Sequence, residues 1–115
     1  MLFFEYNFLA WRPMSFQMIA LKPAATASMM SMRQSALPLR QSIEQALSKG
    51  EEVTIDFSGV EATQSFVDEL IGVLVSRLGP SVLSQLSFKG CSQAVKGVIS
   101  FVVADRARDF KVTAH

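Results

Sequence analysis

Residues 65–79, SFVDELIGVLVSRLG, constrain the fold more than any other stretch of the chain. Phe66, Leu70, Val73 and Leu74 recur at three- and four-residue spacing, and Val67, Ile71 and Leu78 broaden the stripe. That period predicts a helix with a wide apolar face, stopped by Gly79 and Pro80. A helix of this kind must lie against another layer. The layer is announced just upstream, where Val53, Ile55 and Phe57 alternate with Thr54 and Asp56 as in a short strand.

The same alternation of strand and helix continues on both sides. LSQLSFKG, residues 83–90, reads as a second core strand. SQAVKGVISFVVADRARDF, residues 92–110, reads as a last helix with Val95, Val98, Ile99, Val102 and Val103 inward. Upstream, Leu37, Ile43 and Leu47 share a helical face, and Gly50 stands where a C-terminal cap belongs. Pro38 places the start of that helix near Leu37, in the first turn, where its missing N–H costs nothing. Arg40 and Glu44 then form an i,i+4 surface pair. Strands alternating with half-buried helices predict an α/β fold: a small mixed β-sheet with helices packed on it.

The N-terminus reads differently. MLFFEYNFLAWRPMSFQMIALK is aromatic, but Glu5 and Asn7 interrupt it, so it is too short and polar for a membrane span. It lacks the basic n-region of a signal peptide, although Ala25-Thr26-Ala27 resembles a cleavage site. Residues 2–9 and 15–21 fit two hairpin strands turned around Trp11-Arg12-Pro13. Equally, the first residues fit an upstream extension of a chain starting at Met14 or Met18. The expected division is residues 1–22 as aromatic and Met-rich extension or hairpin, and residues 23–115 as the α/β domain. All six methionines fall in the first 32 residues, with Met29, Met30 and Met32 nearly adjacent, as core filling or as an adaptable surface.

Composition narrows the chemistry. The chain has 115 residues, enough for one core, with 50% hydrophobic residues, 18% charged and a net charge of +1. Its 11 basic residues form no run that would track a phosphate backbone, so no nucleic acid is expected as partner. One cysteine and one terminal histidine exclude an internal disulfide and any four-cysteine or multi-histidine metal site, and a reducing, cytoplasmic setting fits. Cys91 reads as a small, part-buried residue at a turn, without a general base beside it. There is no Gly-rich phosphate loop and no Ser/His/Asp set, so no cofactor, metal or catalytic residue is expected. Asp68 and Glu69 are adjacent, diverge by about 100° on a helix and cannot straddle a substrate.

The stretch between strand and helix, TQSFVDEL, carries the candidate site. One reading is local. Ser65 followed by Asp68 approximates a capping box, and acids in a first turn gain about 0.3–1 kcal/mol each from the helix dipole. The other is functional: Thr63, Gln64, Ser65, Phe66, Asp68 and Glu69 form a partner-facing surface, with Ser65 capping and the acids presenting negative charge. One acid turning inward to backbone N–H groups is the structural alternative.

VTIDFSGVEATQSFVDELIG, with the ordered pair IDFSGV and QSFVDEL, resembles the STAS-like family of small bacterial domains, relatives of the STAS domain of anti-sigma-factor antagonists. The resemblance runs from about residue 31 to residue 110. It implies a regulatory, partner-switching role and a protein partner such as a histidine-kinase-like ATPase or another anti-sigma-type regulator. In such antagonists a serine at the start of this helix is phosphorylated. Here alignment on DFSGV puts Gln64 at the usual Asp, Ser65 at the following serine and Phe66 at the phosphoacceptor, and a one-residue shift would give Ser65 that role. Asp68 and Glu69 would repel a phosphate there. The alternative is a self-associating structural domain of a bacterial or mobile-element complex, a homodimer burying Phe3, Phe4, Phe8 and Trp11.

Overall fold

The computed structural model describes residues 16–21, 29–30 and 33–113. In chain order the elements are β1 (Phe16–Ala20), β2 (Met29–Met30), α1 (Arg33–Ser48), β3 (Glu52–Asp56) and β4 (Glu61–Ala62). Then come α2 (residues 64–78), a 3-10 turn (Pro80–Gln85), β5 (Leu86–Lys89) and α3 (Gln93–Thr113). The main sheet has the order β1-β3-β5 with both ladders parallel, and β2 pairs parallel with β4 as a two-residue ladder.

The register explains the core. Ile19, Ile55 and Phe88 lie side by side across the three strands, so they point to one face. Val53, Phe57 and Leu86 join them there, all in one buried cluster with helix residues Ile43, Phe66, Leu70, Leu74, Val95 and Ile99. Fully burying one such side chain is worth about 1.5–3 kcal/mol. The middle strand is so well covered that Thr54, the polar half of the expected alternation, is buried as well.

Phe16–Ala20, which the sequence reading assigns to the N-terminal segment, is a strand of this same sheet, in register with Glu52–Asp56. The other half of the expected hairpin, residues 2–9, and the aromatic residues offered for self-association lie outside the described residues. Met29 and Met30 form the backbone of β2; Met32 also lies outside.

α1 departs from expectation at its start. It begins at Arg33, and Pro38 sits inside it rather than in its first turn. The buried stripe is Ala36, Arg40, Ile43 and Ala46, with Leu47 partly buried, while Leu37 is exposed. Its end is as predicted. Gly50 at φ +78° donates to the Leu47 carbonyl, and Glu51 N–H donates to the Ala46 carbonyl. These two bonds make a Schellman cap, and its left-handed residue favours glycine. The region predicted as one strand, residues 83–90, divides: the 3-10 turn runs to Gln85 and only Leu86–Lys89 is strand. In α3, Val95, Ile99, Val102 and Val103 are buried and Val98 partly so. Cys91 is buried, its thiol 4.0 Å from the Lys89 carbonyl.

Candidate functional site

α2 is the middle helix, packed between α1 and α3, which is why its apolar face is broad. It is not uniform. Between Gln64–Val67 and Val73–Leu78 lies one π-helical turn, Asp68–Gly72, in which Val73 N–H donates to the Asp68 carbonyl five residues back. Such turns recur at functional sites. Gly72 makes room for this one. A Cβ there would stand 2.5 Å from Asp68 Oδ1 and 2.9 Å from Val102 Cγ1, so any side chain would push α3 or the carboxylate away.

The helix start corrects the sequence reading. Thr63, not Ser65, is the N-cap: its extended backbone leads into the helix and its Oγ1 accepts from Phe66 N–H at 3.3 Å. Ser65 is the second helical residue, exposed, as is Gln64 before it. Phe66 is fully buried and belongs to the core, so it is neither a partner contact nor an accessible acceptor.

Asp68 and Glu69 also depart from the expected geometry. Both turn inward, to arginines rather than to backbone N–H groups. Arg106 of α3 grips Asp68 along one edge, Nε to Oδ1 at 2.8 Å and Nη2 to Oδ2 at 2.7 Å. Arg106 Nη1 also donates to Ser76 Oγ at 3.0 Å. Arg40 of α1 donates to Glu69 Oε2 at 3.0 Å and to Glu44 Oε2 at 2.9 Å. Its side chain is only 7% exposed, so the expected surface pair Arg40–Glu44 is a part-buried ion pair instead. Arg33, at the start of α1, bridges the two acids through Nη1, 3.0 Å from Asp68 Oδ2 and 3.5 Å from Glu69 Oε1. The sequence reading missed what these three arginines do. Two left a trace: Arg40 and Arg106 sit in register with apolar stripes, at positions that need a counter-ion once buried.

The bonds to Asp68 favour its charged form. Hydrogen bonds from Arg106, then Arg33, outweigh burial and hold the Asp68 carboxyl below its ordinary value, while the same carboxylate raises Arg106. Asp56, at the end of β3, is also lowered: burial pushes it up, but the Ser58 hydroxyl and N–H and the nearby Lys89 charge prevail. A second local tie is Ser92, which caps α3 by accepting from Val95 N–H at 3.1 Å and donates to Glu61 Oε1 of β4 at 2.9 Å. Among the described residues no three His, Cys, Asp or Glu side chains converge as a metal-ligand group. No described helix is long and apolar enough to cross a membrane.

A family model for a STAS-like domain of unknown function (DUF4325) matches residues 35–96, more than half of the chain. The chain belongs to that family. The match spans most of α1, the strands β3, β4 and β5, all of α2 and the start of α3, so the helix start and both acids lie within the STAS-like domain, whereas Arg33 and Arg106 lie outside the matched span. The small sheet with helices packed on it is the α/β architecture expected from the sequence, with its described ladders all parallel where a mixed sheet was expected. No curated protein and no solved structure matched the chain.

Proposed function

We propose that this STAS-like domain is a non-catalytic regulatory module of the cytoplasm that binds a protein partner through the start of α2. The carrying observation is the pair Gln64 and Ser65. Both are exposed and neither side chain is engaged by the described residues, yet the backbone beneath them is anchored by the Thr63 cap and the buried Phe66. A rigid first turn with unused polar side chains is suited to docking. Asp68, held charged by arginine, supports a structural role over acid–base chemistry.

The partner that the family resemblance favours is a histidine-kinase-like ATPase or another anti-sigma-type regulator. Ser65 is the hydroxyl available to such a kinase. The repulsion expected from Asp68 and Glu69 is reduced, because arginines already occupy both carboxylates. The test is capture from the native cytoplasm with the full chain and with Ser65→Trp, a bulky change at an exposed site. A protein retained by the first and lost by the second, at unchanged circular dichroism, is the expected result. No stable protein partner, or equal retention by both, overturns the reading.

A further inference from the structure

The three arginines around Asp68 and Glu69 are not equivalent. Arg106 already matches Asp68, and Arg40 already matches Glu69. Arg33 is a third cation over two acids that have counter-ions of their own. It is 50% exposed and spends a single nitrogen, Nη1, on both carboxylates. Its Nε and Nη2 make no bond with the described residues. That free edge is the one with which Arg106 holds Asp68.

A guanidinium pinned at one corner presents the remaining edge as a fork that fits a carboxylate bidentately. The fork stands near the exposed start of α2. Ser65 precedes Asp68 by three residues and Glu69 by four, the spacing that places side chains on one helix face about 5–6 Å apart. The surrounding charges agree in sign. Arg77, Glu44, Arg40, Glu69, Arg33, Asp68 and Arg106 alternate along one chain of ion pairs that begins and ends on a cation. Matching Arg77 to Glu44, Arg40 to Glu69 and Arg106 to Asp68 leaves Arg33 as the cation of this chain without an acid of its own.

We propose that Arg33 is the contact through which this surface recognises an acidic side chain of a protein partner, its Nε and Nη2 receiving an Asp or Glu carboxylate. The proposal rests on the start of α2 being the docking surface. It reverses the sign expected from the sequence, in which Asp68 and Glu69 present negative charge. A polyanion such as nucleic acid is disfavoured, since one fork in a chain of net charge +1 offers no basic track.

The experiment follows arginine Nε–H and backbone amide NMR signals of the isotope-labelled full chain. Hexaglutamate peptide, hexalysine peptide and inorganic phosphate are added separately at matched ionic strength. Hexaglutamate is expected to shift Arg33 Nε–H and the Gln64 and Ser65 amides saturably, with binding weakened by salt. Arg33→Gln should weaken it about tenfold or more, and Arg33→Lys, which keeps the charge and loses the fork, nearly as much. Because Asp68 and Glu69 keep their other arginines, both variants should fold as before by circular dichroism. Shifts that spare Arg33, that survive Arg33→Gln, or that hexalysine or phosphate reproduces at equal concentration overturn the proposal. If a captured partner is lost with Ser65→Trp but kept with Arg33→Gln, this inference fails while the docking surface stands.

Discussion

Thr63 and Ser65 are two residues apart, and the structure gives them opposite duties. Thr63 satisfies an orphan N–H of the helix start; Ser65 is exposed to solvent. Thr63→Ala should cost about 0.5–2 kcal/mol in urea denaturation, and Ser65→Ala should stay within about 0.5 kcal/mol. Equal losses would place the cap wrongly. The sequence offered both hydroxyls, and spacing to Asp68 favoured the wrong one; a cap is decided by where the chain turns from extended to helical, which apolar spacing does not locate to the residue. Gly72 makes a second residue-scale case. On propensity alone, Gly72→Ala inside a helix should stabilise by about 0.5–1 kcal/mol. Contact with Asp68 and Val102 reverses the sign, and a loss of about 1–3 kcal/mol is expected by thermal or urea melts.

Among elements, α2 is held to its neighbours by charge as well as by apolar packing. Removing both acids with Asp68→Asn and Glu69→Gln takes Asp68 from Arg106 and leaves the buried Arg40 with Glu44 alone. Both acids keep some exposure, so the expected loss is about 2–3 kcal/mol rather than the 3–5 of a fully buried pair. A fold of unchanged stability would return these acids to the surface. The pH dependence follows from Asp68. Its carboxyl lies lower in the folded chain than its ordinary value, so on acidification the unfolded chain takes up the proton first. The contribution is complete above the unfolded value and fades as pH falls through the folded one. Asp68→Asn should therefore flatten the drop in urea midpoint between about pH 5 and pH 2, leaving the share due to Asp56, which is lowered in the same direction. Helices and strands were legible because their periods are local. Of the acid–arginine chain only the i,i+4 pair Arg40–Glu44 was legible, because its other links join positions 29 to 38 residues apart on three helices.

For the whole molecule, the strand–helix alternation sufficed to predict an α/β fold, since few layer arrangements bury helices with one apolar face each. It did not assign Phe16–Ala20 to the sheet. FQMIA carries a weak alternation, and only pairing with Glu52–Asp56 settles its place. Stability should be graded accordingly. Amides of β3, bonded on both sides, should exchange with solvent most slowly, and those of the two-residue β2–β4 ladder much sooner. Native-state hydrogen exchange measures this, and uniform protection across both ladders would contradict it.

The order β1-β3-β5 has a consequence for biosynthesis. Each strand of the main sheet lies beside the one made just before it, so no strand is inserted between earlier partners. As the chain leaves the ribosome, β1 and β3 can close around α1 before β5 has been translated, and α3 arrives after β5 with Arg106 to complete the cradle of Asp68. The ion pair between α2 and α3 thus forms only after the sheet residues have been made: a nascent chain stalled before residue 106 carries Asp68 without the arginine that grips it along its edge.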